Sequence, residues 1–391
     1  MPAELIIGLA WLLLVVWLLW RATRQYRAYE RLPPRRWPGP QPAPALTVIV
    51  PARDEAANIE RCIAGLFAQD YPADRLQIIV VDDHSRDDTA ARVARCARRC
   101  ARLRLLHGRP LPADWTGKSF ACWQGSRMAE GEWLCFIDAD TTAAPACLAS
   151  AVVGAHERKL DMLSLAPFQL LVTPPERLVM LIGFLAVAVF KDLRRVNRAD
   201  DDAAEANGQF LLIRRAAYEA IGGHAGVRQE VAEDFALACR IKQAGYRLQL
   251  LGGDELLRTR MYTGWSSLRE GLAKNAAMIF GGPVATLLVS LAAVLIGWAA
   301  WLLPAGLWLR WLAAAPDAWL LAGALGATLG SILLTATQIA EARYFRMPWW
   351  YGLIFAIGYC LAAVVGISSV RQHISGRTRW KGRSYPVRSR G

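Results

Sequence analysis

Four acidic clusters hold most of the chemistry in this sequence, and three of them stand just beyond short apolar runs. Val48-Ile49-Val50-Pro51 opens onto Ala52-Arg53-Asp54-Glu55, and Ile78-Ile79-Val80-Val81 onto Asp82-Asp83-His84-Ser85. Leu134-Cys135-Phe136-Ile137 ends at Asp138-Ala139-Asp140, and the fourth cluster, Glu233-Asp234, opens a helical pattern. Two carboxylates spaced as Asp138 and Asp140 suit a hard divalent cation such as Mg2+ or Mn2+, which prefers oxygen and is commonly completed by substrate phosphates. At the second cluster a carboxylate can accept hydrogen bonds from a nucleobase imide or a ribose hydroxyl. The same cluster, with Asp87, Asp88 and Thr89, can equally cap the helix that follows. Gly117-Lys118 stands before another helical pattern, where a lysine can neutralise a diphosphate with help from the helix dipole. Asp234 is a candidate general base for an acceptor hydroxyl, with helix capping as the competing role.

Several classes are excluded. No G-x-x-x-x-G-K-[ST] run supports a P-loop nucleotide hydrolase. The five histidines have no paired ligand spacing, which argues against zinc. The eight cysteines are scattered without a C-x-x-C pair and read as packing residues in a reducing compartment. A net charge of +13 invites nucleic acid as a partner. However, the arginines gather beside apolar spans and in the tail, where anionic lipid headgroups are their natural partner, and no nucleic-acid motif accompanies them.

Something must hold these clusters together. From Leu46 to about Gly154 apolar runs alternate with helical patterns, which predicts βαβ units and an α/β fold with a mostly parallel sheet. Ligands of such sheets gather at the carboxyl ends of the strands, where three of the clusters lie. Around this domain, set at 46–279, the 391-residue chain is apolar at both ends. Leu5 to Trp20 is an unbroken apolar stretch followed by Arg21, Arg24 and Arg27, which predicts an uncleaved anchor over 1–22. Residues 23–45, with Pro33, Pro34, Pro38, Pro40, Pro42 and Pro44, read as an extended basic linker. Glu176–Lys191 is apolar but short, and an interfacial helix is expected over 176–191. Residues 280–370 carry apolar segments near Pro283–Leu303, Trp319–Thr337 and Trp349–Ser369, before a basic tail at 371–391. Three full passes would put that tail opposite a cytoplasmic domain, against the positive-inside tendency. Either one segment lies in the interface or Pro304-Ala305-Gly306 turns a hairpin; one N-terminal and about three C-terminal transmembrane helices are expected.

Taken in order, the motifs resemble a family-2 glycosyltransferase with the GT-A fold. The matching residues are Val48 to Glu55, Gln69-Asp70-Tyr71-Pro72, Val80 to Thr89, Gly117-Lys118, Gly131-Glu132-Trp133, Asp138-Ala139-Asp140 and Glu233-Asp234. The stretches Asp114-Trp115-Thr116-Gly117-Lys118 and Asn207-Gly208-Gln209-Phe210 are similar to the bacterial hopene-associated members. The resemblance implies an inverting hexosyl transfer from a nucleotide-diphosphate sugar, usually a UDP-sugar. By position, Pro51, Arg53, Glu55, Asp82 and Asp83 would line the nucleotide pocket, and Lys118 would approach the diphosphate. Asp140, supported by Asp138, would hold the Mg2+ or Mn2+. Asp234, with Glu233 beside it, would be catalytic. Processive members carry a Q-x-x-R-W motif; here Tyr262-Thr263-Gly264-Trp265 and Lys274-Asn275 occupy that region instead. This favours a single transfer to a membrane lipid acceptor of hopanoid or related polyisoprenoid type. The setting implied is a multi-pass protein of the bacterial inner membrane with its catalytic domain on the cytoplasmic side. The competing readings are a polyprenyl-phosphate sugar transferase, whose acceptor needs no deprotonation, and a non-catalytic membrane scaffold that retains a nucleotide-sugar fold. Nothing in the sequence points to a protein partner.

Overall fold

The computed structural model describes residues 2–37, 42–313, 317–380 and 383–386. Pro38 and Pro40 of the expected linker, and 381–382 and 387–391 of the basic tail, lie outside the described residues. The chain divides into a sheet unit, Ala28–Leu170 with Asp192–Arg260, and a helical unit, Met1–Arg27 with Leu171–Lys191 and Met261–Gly391.

In the sheet unit the apolar runs become strands because they are buried on both faces. The strands are β1 (Leu46–Ala52), β2 (Leu76–Asp82), β3 (Leu103–His107), β4 (Trp133–Ile137), β5 (Thr141–Ala143), β6 (Met162–Ala166), β7 (Phe168–Gln169), β8 (Phe210–Arg214), β9 (Leu248–Gly252) and β10 (Leu257–Thr259). Seven form one sheet in the order β3-β2-β1-β4-β8-β6-β9, and β5-β10-β7 form a smaller one. Alternate residues feed two separate cores. Val48, Val50, Ile78, Val80, Cys135 and Ile137 pack with Ile59, Cys62, Ile63, Val93 and Leu148 from helices on one face. Ile49, Ile79, Val81, Leu134 and Phe136 pack with Ala121, Cys122, Leu237 and Ile241 on the other. Two covered faces are what a parallel sheet requires, and they explain why its strands read as continuous rather than alternating apolar runs.

β1 is parallel to both β2 and β4, so the chain ends of all three strands share one edge. β8 is antiparallel to β4, with Ile137 opposite Phe210. The loop that enters β8 therefore lies at the edge where β4 leaves.

In the helical unit, Ala3–Ala28, Pro283–Ala313, Ala318–Tyr344 and Phe355–Ile374 are long and apolar enough to cross a membrane. The first runs on past residue 22 into the stretch expected to be an extended linker. Its Arg, Gln, Tyr and Ala residues all tolerate a helix, and no proline intervenes before Pro33. Pro174–Phe190 is a separate apolar helix, opened by a capping box of Thr173 and Glu176 with proline at its start.

The direction of these helices can be followed from their contacts. Glu4 pairs with Arg310 at 2.6 Å, so Ala3–Ala28 begins where Pro283–Ala313 ends. Ala3–Ala28 runs parallel to Ala318–Tyr344, with Gly8 against Gly323, Trp11 against Ser331 and Tyr26 against Glu341. Pro304 lies inside a continuous helix and turns no hairpin. In an apolar bundle, neighbouring helices and local adjustment can absorb the one hydrogen bond that a proline removes. Between the last two helices the chain doubles back through the short turn Trp349–Gly352, which packs on Ile339. Phe355–Ile374 then runs antiparallel to Pro283–Ala313, with Tyr359 beside Gly297 and Gly366 beside Ser290. It is thus parallel to Ala318–Tyr344, and Arg371 emerges at the end that also holds Arg21, Arg24 and Arg27. The conflict over the charged tail came from assuming that successive helices alternate in direction.

Candidate active site

The turns that follow β1 and β2 are stitched to each other. Asp54 and His84 both adopt left-handed backbone, with φ of 54° and 58°. Asp54 Oδ1 accepts from the Arg86 N–H at 2.7 Å, and the Asp54 N–H donates to Ser85 Oγ at 3.0 Å. The Glu55 N–H donates to Thr89 Oγ1 at 2.8 Å, and Glu55 Oε2 accepts from Asn58 Nδ2 at 2.8 Å. Arg53 Nη1 donates to the Asp83 carbonyl at 2.9 Å and lies 4.0 Å from its carboxylate. Asp82 and Asp83 are both buried, and Asp82 Oδ1 has no hydrogen-bond partner among the described residues. Pro51 is half-buried on β1.

A second group forms around Lys118, on the first turn of the helix Gly117–Arg127. Its Nζ lies 2.8 Å from Asp138 Oδ1, 2.9 Å from Glu233 Oε1 and 3.3 Å from the Gly208 carbonyl. An ammonium has three N–H donors, so these three oxygens use all of them. The Gly208 N–H donates to Asp234 Oδ2 at 2.7 Å, and Asp234 Oδ1 accepts from the Phe235 N–H at 2.8 Å. One residue, Gly208, therefore meets the lysine with its carbonyl and Asp234 with its N–H. A Cβ on residue 208 would come within 2.9 Å of Asp234 Oδ2 and 3.1 Å of Lys118 Nζ, so a side chain here would displace one or both groups. Burial pulls the Lys118 pKa down, but Asp138, Glu233 and Asp234 outweigh it and hold the ammonium well above its usual range.

Asp140 follows on the same turn. Its carbonyl accepts from Thr259 Oγ1 at 3.3 Å, and its Oδ1 from Thr141 Oγ1 at 3.4 Å. Thr259 also accepts from Gln209, and Gln209 from Gln169, a buried amide chain running beneath the acidic turn. Cys62 lies under the same turn. Burial, reinforced by Asp140, Glu55 and Asp138, pushes its thiol far above the usual range, so it is an inert packing group. Behind Glu233, His224 contacts the Tyr218 hydroxyl at 2.9 Å, and burial lowers its pKa to about 3, so it stays neutral.

The site residues singled out by sequence therefore fall in two places along one sheet edge. Lys118, Asp138, Glu233 and Asp234 converge directly. Pro51, Arg53, Glu55, Asp82 and Asp83 stand at the ends of β1 and β2, and Asp140 follows Asp138 on the turn after β4. Reasoning from single residues missed Gly208, Gln209, Gln169 and Thr259. Gly208 and Gln209 were signalled only by the similarity of Asn207-Gly208-Gln209-Phe210 to a known subfamily, and Gln169 and Thr259 by nothing.

No group of three or more His, Cys, Asp or Glu side chains among the described residues is arranged as a metal cage. Asp138 and Asp140 offer two carboxylates on one turn. That donor set fits a hard cation which takes its remaining ligands from a diphosphate and water, as Mg2+ commonly does.

Residues 47–222, a little under half of the chain, match the family described as Glycosyl transferase family 2. With the seven-stranded sheet, this defines a GT-A-like α/β fold and supports a transferase enzyme. Among curated relatives, the 4,4'-diaponeurosporenoate glycosyltransferases of Staphylococcus aureus strains Newman and COL are each 28% identical over 261 residues. That match takes in 65% of this chain and 66% of each relative, just under two thirds of their length. Among solved structures, a mannosyltransferase from Pyrobaculum calidifontis, in complex with GDP-Man and Mn2+, superposes with a TM-score of 0.53. It is 22% identical, over 95% of this chain and 99% of that one, and the likeness is one of fold.

Proposed function

We propose that this protein transfers one sugar from a nucleotide-diphosphate sugar to a polyisoprenoid lipid, at the inner face of a bacterial membrane. The observation that carries this reading is the convergence of Asp138, Glu233 and Gly208 on Lys118, with Asp234 held by the Gly208 N–H, at the edge where ligands of parallel sheets bind. The named relatives act on a diaponeurosporenoate, which supports an extended apolar acceptor. The four apolar helices supply a way to reach one.

In this reading Asp82 and Asp83 receive the nucleoside, with Arg53 and Glu55 fixing the turn beside it and Pro51 shaping its wall. Asp138 and Asp140 hold the Mg2+ or Mn2+, which when bound offsets negative charge on the leaving diphosphate. Lys118 lies beside that place and can add its own charge. Asp234 takes the proton of the acceptor hydroxyl as that oxygen attacks the anomeric carbon from the side opposite the leaving group. Gly208 and the start of the Glu233 helix hold the carboxylate by two N–H groups, so its orientation is set before substrate arrives.

A second acceptor class is favoured by the relatives' printed name, which denotes a carboxylate. An ionised carboxylate or phosphate needs no base. The test is transfer of radiolabelled sugar from UDP- and GDP-sugars into bacterial lipid extracts by wild type, Asp140→Ala and Asp234→Asn. For a hydroxyl acceptor, Asp234→Asn should lower turnover by roughly 10²–10⁴-fold. For an ionised acceptor it should change turnover by less than about fivefold while Asp140→Ala still abolishes it. Full activity in both variants would remove the site assignment.

A further inference from the structure

Lys118 sits where the proposed cation and diphosphate would meet, yet its ammonium is already fully engaged by the protein. Its three donors are met by Asp138 Oδ1, Glu233 Oε1 and the Gly208 carbonyl, at 2.8, 2.9 and 3.3 Å. The Asp138 oxygen that it occupies is one of the two that this carboxylate could offer a cation on the Asp138-Ala139-Asp140 turn. One lysine faces Asp138, Glu233 and Asp234, so the group keeps an excess of negative charge even with the lysine in place. A second cation is electrostatically welcome there, but not at the same oxygen lone pair.

We propose that Lys118 and the divalent cation compete for Asp138, and that the diphosphate of the donor decides the competition. This deepens the glycosyltransferase reading and rests on it. Without donor, the ammonium holds Asp138 and weakens cation binding. When a diphosphate arrives, its oxygens offer the ammonium another anion. Lys118 exchanges its N–H···O bond to Asp138 for one to phosphate, keeping its proton, and the freed carboxylate oxygen binds the cation. Glu233 is then a positioning residue: it retains the lysine at the edge while its partner changes. Cation and diphosphate each favour the other, and by linkage the effect is equal in both directions. The site would avoid holding a free metal ion and would close on metal and donor together.

The test is Mn2+ titration of the full-length protein in detergent, followed by electron paramagnetic resonance and calorimetry, with and without UDP or GDP. Lys118→Met should tighten Mn2+ binding about tenfold in the absence of nucleotide, within the usual range of coupling between sites. It should also reduce, by a similar factor, the gain in Mn2+ affinity that the nucleotide brings. Lys118→Arg, which keeps the positive charge, should show no such tightening of Mn2+ binding. If Lys118→Met does not fold, Lys118→Gln serves the same purpose. Unchanged or weaker Mn2+ binding in the lysine variant overturns the proposal. So does a tenfold gain that survives in Lys118→Met/Asp138→Asn, since removing a positive charge would then act through space alone. Wild-type protein that binds neither Mn2+ nor nucleotide would overturn the glycosyltransferase reading itself, and this inference with it.

Discussion

The sheet unit and the helical unit both depend on glycine at a point of closest approach, for opposite reasons. In the sheet unit Gly208 lets the backbone come between a lysine and a carboxylate. A side chain would intrude on polar atoms whose positions are the chemistry. In the helical unit Gly8 and Gly323 let two helix backbones touch: a Cβ on Gly8 would fall 2.1 Å from the Gly323 carbonyl, and one on Gly323 2.4 Å from the Glu4 carbonyl. The gain there is packing, a main source of association between helices in lipid. Polar residues in the helical unit act mainly as ties, such as the Tyr26 hydroxyl donating to Glu341 and the Trp11 indole to Ser331. In one unit small size protects a charge geometry, and in the other it permits contact.

The comparison predicts different losses for similar substitutions. Gly208→Ala should reduce kcat/KM about 100-fold by displacing Asp234 and Lys118, the scale expected for a misplacement near 1 Å. Its thermal midpoint should move little. A variant that lost stability in proportion to activity would place Gly208 with the packing glycines instead. Gly323→Leu should do the reverse. Overpacking at a helix contact costs about 1–3 kcal/mol, so heat- or denaturant-induced unfolding in detergent should occur earlier. Nucleotide binding by the folded fraction should stay near wild type. Weakened nucleotide affinity at full stability would break the distinction.

How much of this was legible differs between the units in the same way. The three main strands could be read because Val48-Ile49-Val50, Ile78 to Val81 and Leu134 to Ile137 feed both cores. Local composition and burial say the same thing there. Three of the four acidic clusters were legible because each follows its strand directly. The role of Gly208 was not, because it depends on β8 entering antiparallel beside β4, a pairing across 73 residues from Ile137 to Phe210. Nor could the pairing of Lys118 be read, since Asp138 and Glu233 are distant in sequence and the lysine suggested a phosphate just as well. In the helical unit, length and apolarity identified the spanning candidates. Direction is a different matter: it rests on Trp349–Gly352 folding back onto Ile339, and the local residues do not distinguish that turn from the start of a span.

The smallest expected effect separates the units by pH. Asp87 Oδ1 accepts from the N–H of Thr89 at 3.0 Å and from its hydroxyl, while Oδ2 accepts from the Ala56 N–H at 3.0 Å. The same Thr89 oxygen accepts from the Glu55 N–H, so an ionised carboxylate fixes a hydroxyl that in turn fixes the β1 turn. Burial tends to raise the Asp87 pKa, but the bonds from Thr89 and Ala56 win and leave it lowered. A folded pKa below the unfolded value, about 3.9, means the stabilisation is complete above that value. It is lost as the pH falls through it toward the folded one. Asp87→Asn cannot present two acceptor oxygens and should cost about 0.5–1 kcal/mol at pH 7, allowing for solvent screening of an exposed group. That difference should shrink as denaturant melts are repeated below about pH 4. A difference that stayed constant with pH would mean that the turn needs only the shape of residue 87. The contrast would then lose its electrostatic half, because the sheet unit's loops would be held, like the helices, by fit alone.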